Sequence, residues 1–469
     1  MRSGRFGLAV LGAGSAGFAA AIRAAEQGAK VALINEGTIG GTCVNVGCIP
    51  SKTLIRAAEA RHVGAAHPFS GIPRSEGAVN WPEIRAQKDE LVARLRKTKY
   101  VDVLAAYPSV TLFEGRGVIE ASGAVRLSDG TLIDTERVVV TTGASPRAPE
   151  LPGLAETGFL DSTSVLELET LPESLLVLGA GSVGLELGQA FARLGVAVTI
   201  LARSRLLSGE DPALGRELAG YLRGEGIAVF ESFSAKRVEE ENGRRVVIGH
   251  GPDREEIRVE GEAILGAAGR CPNTSGYGLE EAGVELGPGG EILVDDFLCS
   301  SNPRVYAAGD VTGKPMHVYV AARAGALAAN NARSAAPTPL DLTILPRVTF
   351  TDPSVAAVGV TEEAARAAGY DPITAVLSLD HVPRALAARD TQGFVKLVAD
   401  SATRRILGAA VLAHEAVEMI MEPTLAVKHG LTIEDLVDTF HPYLTLGEGI
   451  RLAAQTFDRE VEMLSCCAA

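Results

Sequence analysis

The sequence predicts an α/β chain with two Rossmann-like units, followed by a separate α+β domain. Three observations predict it. Leu8-Ala9-Val10-Leu11 runs into Gly12-Ala13-Gly14-Ser15-Ala16-Gly17, then a helix-like stretch and a strand over 31–34. The same order recurs from a strand over 175–178, through Gly179-Ala180-Gly181-Ser182-Val183-Gly184, along a helix to Arg193 and into a strand over 197–201. Beyond about residue 340 the glycine turns stop, and strand-like runs at 347–350 and 394–398 mix with helical ones such as 361–368. A chain of 469 residues is also too long for one ordinary core, so two or three domains are expected.

Each glycine turn has a mechanical reading. The first glycine permits the turn, the second lets backbone approach a diphosphate, and the third allows close helix–strand packing. The diphosphate sits at the positive end of the helix that follows. One such turn is weak evidence, because glycine-rich turns also occur for packing alone. Two copies, both between a strand and a helix, point to two bound dinucleotides. Between them, residues 138–144 read as a buried strand ending in a tight turn, 146–152 as a crossover, and 264–269 as the close of the second unit.

The end of the second strand of each unit carries nucleotide preference, since an acid there takes the ribose hydroxyls. The second unit ends Ile200-Leu201-Ala202-Arg203-Ser204-Arg205, without an acid. Arg203 and Arg205 suit a 2′-phosphate and so NADPH; the plain alternative is a pair of solvated arginines. The first unit ends Ile34-Asn35-Glu36-Gly37 and is the candidate for FAD. Either Glu36 takes the ribose, one residue later than usual, or Asn35 does and Glu36 is merely solvated. A third strand-like run, Val305-Tyr306-Ala307-Ala308-Gly309-Asp310, ends in an acid placed for a flavin polyol hydroxyl, or simply for capping.

Composition narrows the partners. A net charge of −14 argues against nucleic acid, whose phosphates need clustered Lys and Arg. The basic start Met1-Arg2-Ser3-Gly4-Arg5 before an apolar stretch imitates a secretory signal. The fixed glycine spacing inside that stretch favours a strand, a turn and a helix instead. No other uncharged apolar run is long enough to span a bilayer, so no membrane insertion is expected and the cytoplasm is the default. The six cysteines are too sparse for a disulfide scaffold, yet four of them form two close pairs.

The first pair lies in Gly41-Thr42-Cys43-Val44-Asn45-Val46-Gly47-Cys48-Ile49-Pro50-Ser51-Lys52. This spacing near a helix start can bring two sulfurs within disulfide reach, and the helix end favours a thiolate. Here the chain resembles the flavoprotein disulfide reductases along essentially its whole length. The likeness rests on this segment, both glycine turns, Thr142-Gly143-Ala144, Gly269-Arg270 and Ala308-Gly309-Asp310. It implies that Cys48 lies nearest the flavin and that Cys43 exchanges with substrate. It also implies that Thr42, Lys52, Gly117 and Val318 contact FAD, with Glu186 paired to Lys52. The implied division is an FAD domain split over 1–150 and 270–340, an NADPH domain at 151–269 and a dimerisation domain at 341–469.

The second pair closes the chain in Leu464-Ser465-Cys466-Cys467-Ala468-Ala469. Neighbouring cysteines close only a strained ring, and soft thiolates select soft metals, Hg(II) among the softest. Incidental cysteines on a frayed end are the plain alternative. The tail resembles that of the mercuric reductases, as does Phe440-His441-Pro442-Tyr443-Leu444-Thr445. That likeness implies a homodimer with shared active sites, in which Cys466 and Cys467 acquire Hg(II) from a thiol complex. Cys43 and Cys48 of the other subunit then hold it for reduction to Hg(0), with Tyr443 near the metal. Many mercuric reductases carry an extra N-terminal metal-binding domain; this sequence starts at the FAD unit, so none is expected.

Two readings compete. A thioredoxin reductase with a C-terminal redox pair would share the fold and both cofactors, and His441 favours it. In the dithiol-handling members a glutamate follows that histidine by five positions; here the acid that follows, Glu448, is seven on. His441 is therefore read as a vestige or as a loop histidine. A mercury carrier without turnover would leave both nucleotide turns without a purpose. His414, Glu415 and Glu418 fit one helix face as metal ligands, but a dimer interface or a solvated helix is the preferred reading. Cys271 and Cys299 are expected as packed small residues.

Overall fold

The computed structural model describes residues 5–464, so Ser465, Cys466 and Cys467 lie outside the described residues. In the first unit five parallel strands lie in the order Val305–Ala307, Val138–Val140, Leu8–Leu11, Val31–Asn35, Val110–Glu114. The three central runs are apolar almost throughout and fully buried, as parallel strands covered on both faces must be. Helix Ser15–Glu26 packs on helix Val318–Asn331 through small residues. A methyl on Gly325 would lie 1.9 Å from the Ala16 carbonyl oxygen, so the two helices touch backbone to backbone.

The second unit repeats the pattern with four parallel strands, ordered Ala228–Phe230, Ala197–Leu201, Ser174–Leu178, Ala263–Gly266. An antiparallel sheet, Ser234–Glu241, Arg244–His250 and Glu256–Gly261, accompanies it. The two chain crossings between the units pair with each other, Ala144–Pro146 against Arg270–Pro272. This makes the junction a two-stranded ribbon.

The C-terminal part is an antiparallel sheet in the order Arg347–Thr349, Ser354–Gly359, Ile406–Ala413, Phe394–Asp400, Pro372–Ser378, covered by helices that include Met421–His429 and Glu448–Gln455. Two further elements join the first unit. Helix Trp81–Arg96 starts where Asn80 accepts from the Glu83 amide. Strands Gly117–Ile119, Val125–Leu127 and Leu132–Ile133 make a small antiparallel sheet. No helix among the described residues is long and apolar enough to cross a membrane.

Candidate active site

A cleft of about 660 Å³ runs from the first glycine turn to the inner cysteine pair, bounded by residues of all three parts. Gly12 has φ +106°, and a Cβ there would lie 2.4 Å from the Thr141 carbonyl oxygen. Gly17 is tighter still, at 1.8 Å from the Gly12 oxygen, so it packs the helix onto the strand and does not line the cleft. Gly14 does line it, as the cap of a helix whose first turn has no side-chain cap. Amides left without partners at a helix start are an anion site. The volume, the uncapped amides and a lining that runs from the glycine turn to the cysteines fit a dinucleotide of the FAD type.

Both candidates for the ribose line the cleft, but their side chains are engaged differently. Asn35 is buried, accepts from the Ala13 amide at 3.2 Å and donates to the Gly37 carbonyl at 2.7 Å. Its side chain holds the turn together. Glu36 reaches the mouth of the cleft, held by Arg116 at 2.8 Å with the Tyr277 hydroxyl at 3.5 Å. Gly37 stands behind the rim at φ +88°. Thr42, Gly117 and Val318 line the cleft, and so does Asp310, whose carboxyl is pushed up by burial against the opposing pull of Arg270.

The cysteines sit at a helix junction. Cys43 lies in Gly41–Val46, and Cys48 opens Cys48–Ala66 after Gly47. A methyl on Gly47 would lie 2.9 Å from the Thr42 carbonyl, so only glycine lets the chain fold back and bring the sulfurs together. Both are free thiols. Their hydrogen bond divides their roles. The Cys43 S–H donates to Cys48 and lowers the Cys48 thiol to about 7 against the effect of burial, with Lys52 helping. The same contact, with burial, drives Cys43 far up. Both effects favour a Cys48 thiolate beside a protonated Cys43.

Beside them Lys52 Nζ meets Glu186 Oε2 at 2.5 Å and lies 4.7 Å over the Phe350 ring. The other Glu186 oxygen accepts from the Phe350 amide at 2.9 Å. Tyr100 is a residue that no sequence pattern indicated. It occupies a single π-helical turn, Lys97–Val101, a distortion frequent at functional sites. Burial raises its phenol, Ser15 hydrogen-bonds it, and the charges of both sulfurs act on it.

In the second unit the turn is built alike. A Cβ on Gly179 would meet the Ala267 oxygen at 2.4 Å and one on Gly184 the Gly179 oxygen at 2.2 Å, whereas Gly181 faces open space. The arginines behave differently from each other. Arg203 is exposed at the strand end. Arg205 donates to the carbonyls of Leu207, Ser208 and Glu210, so its guanidinium already braces the following loop.

Tyr443 is more than half exposed and lies outside the cleft. His441 is neither solvated nor paired with Glu448. Its side chain is only 6 % exposed, with Nε2 2.7 Å from Glu422 and Nδ1 2.9 Å from the Thr439 carbonyl. Glu422 raises its pKa against burial. His414 bonds Asp352 at 2.9 Å, and among the described residues no group of three acidic, His or Cys side chains suits a metal. Cys271 and Cys299 are half-buried rather than packed in the core.

Residues 6–325 match the pyridine nucleotide-disulphide oxidoreductase family, and 345–454 match its dimerisation domain. The chain is 44% identical to a mercuric reductase of Staphylococcus aureus over 468 residues, covering 100% of this chain and 85% of that one. It is 45% identical to one from Streptomyces lividans over 471 residues, covering 99% and 98%. Among solved structures, the Cu(II) complex of the HOCl-induced flavoprotein disulfide reductase RclA from Escherichia coli superposes with TM-score 0.86 at 29% identity, covering 97% of this chain and 100% of that one. The chain belongs to the pyridine nucleotide-disulphide oxidoreductases and, within them, to the mercuric reductases.

Proposed function

We propose that Cys43 and Cys48 hold Hg(II) while it is reduced, and that Cys466 and Cys467 deliver it from a thiol complex. The observation that carries this is the pair of free cysteines lining the end of the cleft, with hydrogen bonding from Cys43 and the charge of Lys52 favouring the Cys48 thiolate. The overall reaction is Hg(II) + NADPH → Hg(0) + NADP⁺ + H⁺. FAD, when bound, accepts hydride and returns two electrons. A chelating pair of soft thiolates binds Hg(II) tightly, and Cys43 loses its proton as the second sulfur binds. We assign Lys52 and Glu186 to the border of the flavin, Gly12 and Gly14 to its diphosphate, Glu36 to its ribose, and Thr42, Gly117, Asp310 and Val318 to the rest of its length.

In the second unit we assign the NADPH diphosphate to the Gly179, Gly181 and Gly184 turn and its 2′-phosphate to Arg203; Arg205 acts by bracing that loop. The matched dimerisation domain supports a homodimer. Tyr443, exposed on that domain, is assigned to the metal in the partner subunit's cleft, and the reaction to the cytoplasm, where NADPH and small thiols are supplied. The division into a split FAD domain, an inserted NADPH domain and a dimerisation domain follows the same reading. A dithiol acid–base role for His441 finds no support, because both its ring nitrogens face acceptors.

The test is anaerobic NADPH oxidation with Hg(II) held as a thiol complex, with mercury loss followed in parallel. It is run on the native protein and on Cys466→Ala/Cys467→Ala. Stoichiometric mercury loss that falls sharply in the variant supports delivery by the tail. Absence of mercury loss together with turnover of oxidised thioredoxin overturns the assignment.

A further inference from the structure

The loop between helices Ile433–Asp438 and Glu448–Gln455 combines features that pull in opposite directions. Phe440 is fully exposed, Tyr443 is more than half exposed, and Leu444, nearly half exposed, adopts φ +62°. Such apolar exposure alone would favour collapse of the loop onto the sheet. His441, in the midst of them, is instead buried and anchored at both ring nitrogens. One bond runs within the loop to the Thr439 carbonyl, the other across to Glu422 on helix Met421–His429. Both partners are oxygens that can only accept. The ring therefore donates twice and keeps no lone pair for a substrate proton.

The anchor has local support on either side. Thr439 Oγ1 donates to the Asp435 carbonyl at 2.7 Å, and Thr445 Oγ1 to the Pro442 carbonyl at 2.9 Å. These bonds shape the loop's two ends, but each stays within neighbouring residues. The His441–Glu422 bond spans 19 positions and ties the loop to a different helix. We propose that His441 is a positioning residue: with Glu422 it clamps this loop so that Tyr443 is presented, preorganised, to the metal site. The inference rests on the assignment of Tyr443 given above. Holding a reacting group in place beforehand is what gives positioning its effect on rate, and a misplacement of about 1 Å can cost on the order of a hundred-fold.

The experiment is a double-mutant cycle on the holoenzyme. Mercury reduction is measured for Tyr443→Phe, His441→Phe and the double variant, with FAD content and melting temperature recorded for each. His441→Phe keeps a ring but removes both donors. It is expected to lower kcat/KM for the Hg(II)–thiol complex by roughly ten-fold, and to add nothing in the Tyr443→Phe background. Glu422→Gln, which keeps an oxygen acceptor, should restore most of the rate relative to Glu422→Leu. An additive loss in the double variant, or no loss in His441→Phe, overturns the clamp while leaving Tyr443's role standing. No loss in Tyr443→Phe itself overturns that role and the clamp with it. If His441→Phe fails to fold, the Glu422→Gln and Glu422→Leu pair carries the same comparison, and equal rates in the two overturn the proposal.

Discussion

Lys52 Nζ lies 2.5 Å from one oxygen of Glu186, while the other oxygen of that carboxylate accepts from the Phe350 amide. Three stretches of chain, 52, 186 and 350, are thus tied at one buried carboxylate beside the cleft. Lys52→Met leaves that carboxylate, only 6 % exposed, without its cation. Breaking a buried pair from one side costs about 3 kcal/mol or more. Denaturant unfolding of the variant should show a loss of that order. A loss below about 1 kcal/mol would place the pair with ordinary surface bridges.

The cysteine pair predicts a pH profile. With the Cys48 thiol near 7, its thiolate fraction rises with pH through neutrality. Alkylation of the reduced enzyme by iodoacetamide should follow the same curve, with Cys48 labelled first. Cys43→Ala removes the donor that lowers Cys48, so its labelling curve should move to higher pH. An unmoved curve would show that Lys52 alone sets the thiolate.

Asp352 predicts acid behaviour. Burial opposes its ionisation, but His414 and Arg193 outweigh it and hold its carboxyl near 2. The folded value lies below the unfolded one, so the stabilisation is complete above the ordinary carboxylate range and is lost as pH falls towards 2. It amounts to about 2 kcal/mol. Asp352→Asn should lower stability at neutral pH and flatten the acid limb between about pH 4 and 2, as read by thermal melts across pH. An acid limb as steep as the native one would assign it to other carboxylates.

The second glycine turn separates folding from binding. Gly184→Ala drives a methyl to 2.2 Å from the Gly179 oxygen and should unfold or grossly destabilise the unit. Gly181→Ala meets open space, so it should fold normally and raise KM for NADPH about ten-fold or more by crowding the diphosphate. Melting curves and NADPH kinetics on both variants check this; equal melting temperatures would contradict it.

The arginines make a similar contrast. Arg203→Ala should raise KM for NADPH by roughly ten-fold while leaving NADH unaffected, as loss of a phosphate contact does. Arg205→Ala should instead lower stability, because it releases three backbone carbonyls. Initial rates with the two nucleotides distinguish them, and a selective NADPH defect in Arg205→Ala would reverse the assignment.

The amino-acid sequence by itself determined the two nucleotide turns, the inner cysteine pair and the order of strands and helices around them. Their physics is short-range: Gly12 and Gly17 are required by sterics within a few residues and one strand, and the return from Cys43 to Cys48 by Gly47. Tertiary structure decided what each polar side chain is used for. Asn35 is engaged by the Ala13 amide while Glu36 pairs with Arg116, and Arg205 closed on backbone carbonyls while Arg203 stayed exposed. His441 found its acid 19 positions back at Glu422, where spacing along the chain had offered Glu448. Tyr100 is carried on a π-helical turn with no sequence signature, where the charges of the sulfurs act on it. Hydrogen-bond partners are chosen among groups that packing brings within about 3 Å, and that choice is made by distant segments together.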